Sequence, residues 1–359
     1  MAHAISRSHL DPLRPRPVPA PYIVGIDPVL VPRGPEVHPV LPLPAPRPLF
    51  SVMISNFDAT EHLREALESV LAQDLGPDVM EIAVIDNGAM SDQAEDLICE
   101  IGRNRVQLQT RPKPVGAAEN LNDCIRRARG HWIHVVRAKD MIRGGFYEHA
   151  RATIVAHPEI DAFAARHIFI DSDGAWLSLS ELESHRPRML AEDFIQRQLT
   201  AQRLQFVTTL VRRSVYEELG GFREMFRHCP DWDMWNRIIL THRVYYDPEF
   251  LGCHRLECSY GAEEMIRTGE NVREERRCLR TYCGLLPRPY AKRLYREGMC
   301  MAALRALRHA KNHWRDGDQS TAYLQLRECA KCCVSAGTIA LVFRKLPETF
   351  GWLSHQPGL

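Results

Sequence analysis

Between residues 50 and 136 the chain alternates short apolar runs with segments of helical spacing, and this alternation limits the fold more than any other feature. The runs are Phe50–Ile54, Glu81–Ile85, Val106–Gln109 and Trp132–Val136. Between them, Glu61–Gln73 sets Leu63, Ala66, Leu67, Val70 and Leu71 on one face, and Asp92–Ile101 and Ala117–Arg129 also read as helices. Short buried strands joined through helices imply a parallel sheet wound by helices. In such a sheet ligands bind beyond the carboxyl ends of the strands. Three of those ends are polar: Ser55-Asn56-Phe57-Asp58, Asp86-Asn87-Gly88 and Arg137-Ala138-Lys139-Asp140. Taken singly, each is equally an ordinary polar loop or cap. A parallel sheet would bring all three to one edge.

The flanking regions differ. Thirteen of the 24 prolines fall within residues 12–48. Proline removes a backbone donor and fixes φ, which excludes a helix or central strand there. Residues 1–49 are therefore a Pro-rich tail or wrapping segment, with Tyr22, Ile23, Val24, Val29, Leu30 and Val31 as its apolar contacts. Residues 50–270 form the expected α/β body. Its second half mixes helices (146–156, 191–199, 214–219, 232–241) with strands (162–171, 207–211, 244–246). Residues 271–359, rich in Arg, Ala and Leu, form a helical C-terminal extension.

Composition excludes several function classes. Lys and Arg total 46 against 45 acids, a formal charge of +1, without the basic excess of a nucleic-acid binder. The N-terminus lacks the apolar core of a secretory signal, and no run of 18 apolar residues suggests a membrane span. The 11 cysteines are odd in number and scattered, which fits a reduced, cytoplasmic setting. Cys329, Cys332 and Cys333 have no second ligand pair at zinc spacing and read as buried thiols. The basic segment Arg288–Arg308 either packs on the body or touches an anionic membrane surface.

A second polar focus lies at Asp231, where a helix begins. An Asp there can cap the free N–H groups of a first turn or serve as a catalytic carboxylate. Trp232 and Trp235, three apart, share a face and read as core. Together Ser51–Asp74, Glu81–Gly88, Val115–Val136, Gly220–Phe222 and Asp231–Ile238 resemble the family-2 glycosyltransferases of GT-A fold, in the expected order over roughly residues 50–260. The resemblance implies a mixed GT-A-like sheet and an inverting transfer of sugar from a nucleotide-sugar to a hydroxyl, amine or thiol. It places Ser55, Asn56, Phe57 and Asp58 at the nucleotide pocket, Asp86 at the base, Gly116 and Asn120 beneath the donor, and Asp231 as catalytic base. A carboxylate at Asp86 suits an N–H such as uracil N3, so a UDP-sugar is the expected donor.

One departure is sharp. The family expects an Asp-x-Asp at the end of the fourth strand to hold a divalent cation, and Arg137 and Lys139 stand at those two positions with only Asp140 acidic. Three readings follow. Arg137 and Lys139 supply the positive charge without a metal; or Asp140 holds Mg²⁺ or Mn²⁺ with a downstream ligand, His254 or Glu257; or the protein is a catalytically inactive nucleotide-sugar-binding or scaffold protein of the same fold.

Overall fold

The four apolar runs are strands β1 (Phe50–Asn56), β2 (Met80–Asp86), β3 (Val106–Thr110) and β4 (Trp132–Arg137) in a computed structural model that describes residues 26–40, 46–57, 60–88, 92–256 and 260–351. Every residue of β1 and β2 is buried, as expected of strands covered on both faces. β1 pairs in parallel with β2 and β4, and β2 with β3. The connecting helices are α1 (Leu63–Leu71), α2 (Asp92–Gly102) and α3 (Ala117–Arg127). The register sets Asn56 beside Asp86 and Ser55 beside Arg137, so the three polar strand ends do meet at one edge.

The remaining elements are β5 (Met141–Ile142), α4 (Phe146–Ala156), β6 (Ala162–Ile170), β7 (Trp176–Leu179), β8 (Arg188–Met189), α5 (Glu192–Thr200), β9 (Thr209–Arg212), α6 (Arg213–Leu219), α7 (Pro230–Thr241) and β10 (Val244–Arg255). The sheet runs β3-β2-β1-β4-β9-β6-β10-β5, with β7 on β6 and β8 on β10. β9 is antiparallel to both β4 and β6, while β10 is parallel to β6, so the whole sheet is mixed. Alternation along β1 divides two cores. Val52 and Ile54 join Leu63 and Leu67 of α1 and Phe146 of α4, while Met53 faces the cluster that holds Phe222, Trp235 and Leu279.

Two expectations need correcting. β10 is twelve residues long rather than a short strand at 244–246. The Asp247-Pro248 step that suggests a stop is absorbed by register shifts between Asp247 and Gly252, the usual way a strand accommodates proline. In the Pro-rich segment, Ile26, Val31 and Val37 are buried, but Val29 and Leu30 are exposed. A 3₁₀ turn over Pro28–Leu30, capped by Asp27, throws those two side chains outward. Tyr22, Ile23 and Val24 lie outside the described residues.

The wrapping segment is tied by main-chain bonds: Gly34 N–H to Leu219 O at 2.8 Å, Gly221 N–H to Pro35 O at 2.7 Å, and Val40 N–H to Arg126 O at 3.0 Å. Gly34 is obligatory, because a Cβ there would stand 1.8 Å from the Gly221 carbonyl oxygen. After the sheet come α8 (Tyr260–Thr268), α9 (Glu270–Cys283), α10 (Arg288–Arg315), α11 (Gln319–Cys332) and α12 (Ala336–Gly351). α10 packs against α5, α9, α11 and α12. It buries Leu294, Met299, Ala303 and Ala306, and its Arg305 pairs with Glu275.

Candidate active site

A pocket of about 190 Å³ opens at the carboxyl edge of β1 and β4. Ser55 and Phe57 reach it from the end of β1 and the residue after it, Gly116 from the start of α3, and Arg137 and Lys139 from the end of β4 and the turn that follows. The Ser55 hydroxyl accepts from Asn120 Nδ2 at 2.9 Å, so Asn120 acts from behind the wall. Asp86 is fully buried and is not on the wall. Its carboxylate accepts from Asn56 Nδ2 at 3.1 Å and from the Gly88 N–H at 2.9 Å. Asn87 exchanges two hydrogen bonds with the Val115 backbone, 3.1 and 3.0 Å, which fixes the entry into α3. Gly116 has ordinary extended backbone, and a Cβ there would meet open space. Its lack of side chain widens the pocket and is not a conformational need. Asp58 and Glu257 lie outside the described residues.

The wall is electropositive. Arg137, Lys139, Arg227 and His228 line it, and among the described residues no carboxylate does. The first residues of three helices also line it: Ala117 of α3, Pro230 of α7, and Gly261 and Ala262 of α8. Helix N-termini carry partial positive charge and free N–H groups. The Arg137 guanidinium stacks over the Phe206 ring, 4.9 Å from its centroid. It also stands 3.5 Å from Asp231 Oδ2.

Asp231 is the second residue of α7, after Pro230, and the N-cap position belongs to Cys229. It does not hold the N-cap position, yet it still satisfies a free N–H of the first turn, so the local capping role and the contact with Arg137 coexist. Its Oδ1 accepts the Trp232 N–H at 2.9 Å and its Oδ2 accepts from Gln202 Nε2 at 2.8 Å. The fold thus brings Asp231 and Arg137, 94 positions apart in the chain (231 − 137), to one rim. Trp232 and Trp235 are core: the Trp232 indole N–H donates to the Gln198 carbonyl at 2.7 Å, and Trp235 packs edge-on to Phe206.

Asp140 is fully buried below the pocket. It accepts from His254 Nδ1 at 3.1 Å and from the Arg255 N–H at 2.9 Å. Burial pushes its carboxyl up, but the His254 ring, the Arg255 N–H and the Arg137 charge together hold it below its usual value. The two candidate metal ligands, Asp140 and His254, are thus bonded to each other. Among the described residues no three His, Cys, Asp or Glu side chains are grouped to hold a metal ion. Among the described residues the candidate donors are thus limited to this hydrogen-bonded pair, too few to cage a divalent cation by themselves.

Sequence reasoning missed the residues that hold the rims. Arg255 is fully buried. It donates to the Lys139 carbonyl at 2.9 Å, to the carbonyls of Asp171 at 2.8 Å and Ser172 at 2.5 Å, and pairs with Glu65. On the opposite rim, Glu274 of α9 accepts the N–H groups of Arg227 at 3.0 Å and His228 at 2.7 Å. Asp233 is fully buried and pairs with Arg223, Arg237 and the Tyr282 hydroxyl. Of these, only Arg255 carried a sequence signal, as the Arg that opens Arg255-Leu256-Glu257, where the resemblance implies an Arg-x-His element. Glu274 and Arg227 come from helices and loops with no pattern of their own.

The architecture matches that of Staphylococcus aureus TarS 1–349, whose structure was solved in complex with UDP-GlcNAc. The TM-score is 0.55 at 14% identity, covering 79% of this chain and 91% of that one. The chain is 25% identical over 244 residues to an uncharacterised protein of Mycobacterium tuberculosis, covering 65% of this chain and 75% of the relative. It is 22% identical over 230 residues to an uncharacterised glycosyltransferase of Rickettsia prowazekii, covering 64% and 69%. Sheet order and the likeness to TarS define a GT-A fold. The model of the glycosyltransferase-like family 2 matches residues 46–284, and the chain belongs to that family.

Proposed function

We propose that this protein is an inverting glycosyltransferase that takes a sugar from a nucleoside diphosphate-sugar, a UDP-sugar first among them, and passes it to a hydroxyl, amine or thiol. The observation that carries the reading is the contact of Asp231, at the start of α7, with Arg137, which lines a pocket whose described charged side chains are basic. That wall suits a diphosphate, and the UDP-GlcNAc bound by TarS supports the donor class. Among the described residues no carboxylate lines the wall to act as a nucleophile toward the sugar, so a single displacement is the simplest chemistry. Asp231 takes the acceptor proton as the nucleophile bonds to the anomeric carbon. The carbon–oxygen bond to the diphosphate breaks, and its electron pair leaves on the phosphate oxygen.

The test is incubation of the full chain with UDP-, GDP- and dTDP-sugars and a panel of sugar, lipid and peptide acceptors, reading release of nucleoside diphosphate. The product anomer is then assigned by NMR. Inversion is expected; retention would overturn the mechanism, and donor binding without transfer to any acceptor would favour the scaffold reading.

A further inference from the structure

Accepting the nucleotide-sugar reading above, we propose that the leaving diphosphate is neutralised by the protein's own cations, Arg137 and Lys139, and that no divalent metal takes part. The two positions that would present a metal-binding carboxylate pair present a guanidinium and an ammonium group instead, both on the pocket wall. The one acid that remains at this strand end, Asp140, has His254 Nδ1 and the Arg255 N–H against its carboxylate and sits fully buried beneath the pocket. A metal at this carboxylate would have to compete with the His254 and Arg255 donors already on it.

The surroundings agree with the substitution. Arg255 grips the Lys139 carbonyl from behind at 2.9 Å, so the ammonium stem starts from a fixed point. Arg137 is held flat on Phe206 and is partly exposed, with 32% of its side chain open to solvent. Across the pocket, Glu274 fixes the backbone that carries Arg227 and His228. The starts of α3, α7 and α8 face the same space. Prearranged donors of this kind stabilise charge as it develops and need no reorganisation during the step. When the glycosidic bond breaks, the diphosphate gains one negative charge, and the proton lost by the acceptor rests on Asp231. A pocket lined with Asp side chains would need a metal between itself and that diphosphate. A pocket lined with Arg137 and Lys139 repels the metal and meets the phosphates directly. Arg137 also links the two reacting groups, because the guanidinium that would meet the phosphates stands 3.5 Å from the base.

The experiment is calorimetric titration of the full chain with UDP and with GDP, ADP, CDP and dTDP, each in EDTA and again in excess MnCl₂. It is repeated for Arg137→Met, Lys139→Met and the charge-keeping Arg137→Lys, with the melting temperature of each unliganded variant as the folding control. The inference expects at least one diphosphate to bind in EDTA with an affinity that manganese leaves unchanged. It also expects that affinity to fall about tenfold or more in either methionine variant, the usual loss for a hydrogen bond to a charged group, and to be largely kept in Arg137→Lys. Binding that needs manganese would overturn the inference and leave the transferase reading standing. Metal-free binding that survives both methionine variants in folded protein would overturn the assignment of the two cations. If none of the five diphosphates binds with or without manganese, the nucleotide-sugar reading itself fails.

Discussion

The two rims of the pocket are fixed by ions of opposite sign. On the β4 rim a buried cation, Arg255, gathers the carbonyls of Lys139, Asp171 and Ser172. On the α7 rim a buried anion, Glu274, gathers the N–H groups of Arg227 and His228. The backbone explains the choice. A strand that ends leaves carbonyls without partners, and a loop that enters a helix leaves N–H groups without partners; each is met by a charge-assisted bond of matching polarity. The side chains displayed on the working face are nevertheless cationic on both rims. Geometry and working charge are thus supplied by different residues, and substitutions can separate them.

The sharpest separation is between two aspartates. Asp231→Asn should lower transfer by about 10²–10⁴-fold, the usual worth of a general base, with little change in melting temperature. Asp140→Asn should do the reverse. A matched loss of activity and stability in both would break the comparison. Next, Arg255→Met should destabilise the fold by about 3–5 kcal/mol, because it leaves buried partners unpaired, as read by urea unfolding. Glu274→Gln keeps one acceptor oxygen and should cost about 1–3 kcal/mol, with diphosphate affinity falling because Arg227 and His228 lose their frame. Gly34→Ala, remote from both rims, should cost about 1–3 kcal/mol through overpacking against Gly221 and leave the affinity of folded protein intact.

At neutral pH the smallest effect belongs to a group outside both rims. His134 is fully buried between Tyr147 and the Phe206 carbonyl. Burial pushes its ring down to about 3, so the folded protein refuses a proton that the unfolded chain accepts near pH 6.5. Stability should be level above pH 6.5 and fall between 6.5 and 3, with His134 adding a slope approaching about 1.4 kcal/mol per pH unit. His134→Gln should flatten a plot of unfolding free energy against pH over that window.

The sequence revealed the working face better than the supports. Ser55, Phe57, Arg137 and Lys139 were legible because period-2 burial and strand endings place them without knowledge of anything distant. Gly116 and Asp231 needed the family resemblance as well. Arg227, His228 and Glu274 were not legible, since their roles depend on α9 folding back over the loop before α7. Strands β5, β7 and β8 were missed because two to four residues show no period. β10 was cut short because a bulge hides a proline's cost from any local rule.

The Pro-rich segment carries a practical consequence. The family's shared region starts at residue 46, yet among the described residues the apolar interior already includes Ile26, Val31 and Val37. The intervening hoop closes over the body at the Gly34–Gly221 crossing. A chain trimmed to the family boundary would bare the seam that Ile26, Val31 and Val37 now seal. It would be recovered as a sticky polypeptide rather than a minimal catalyst.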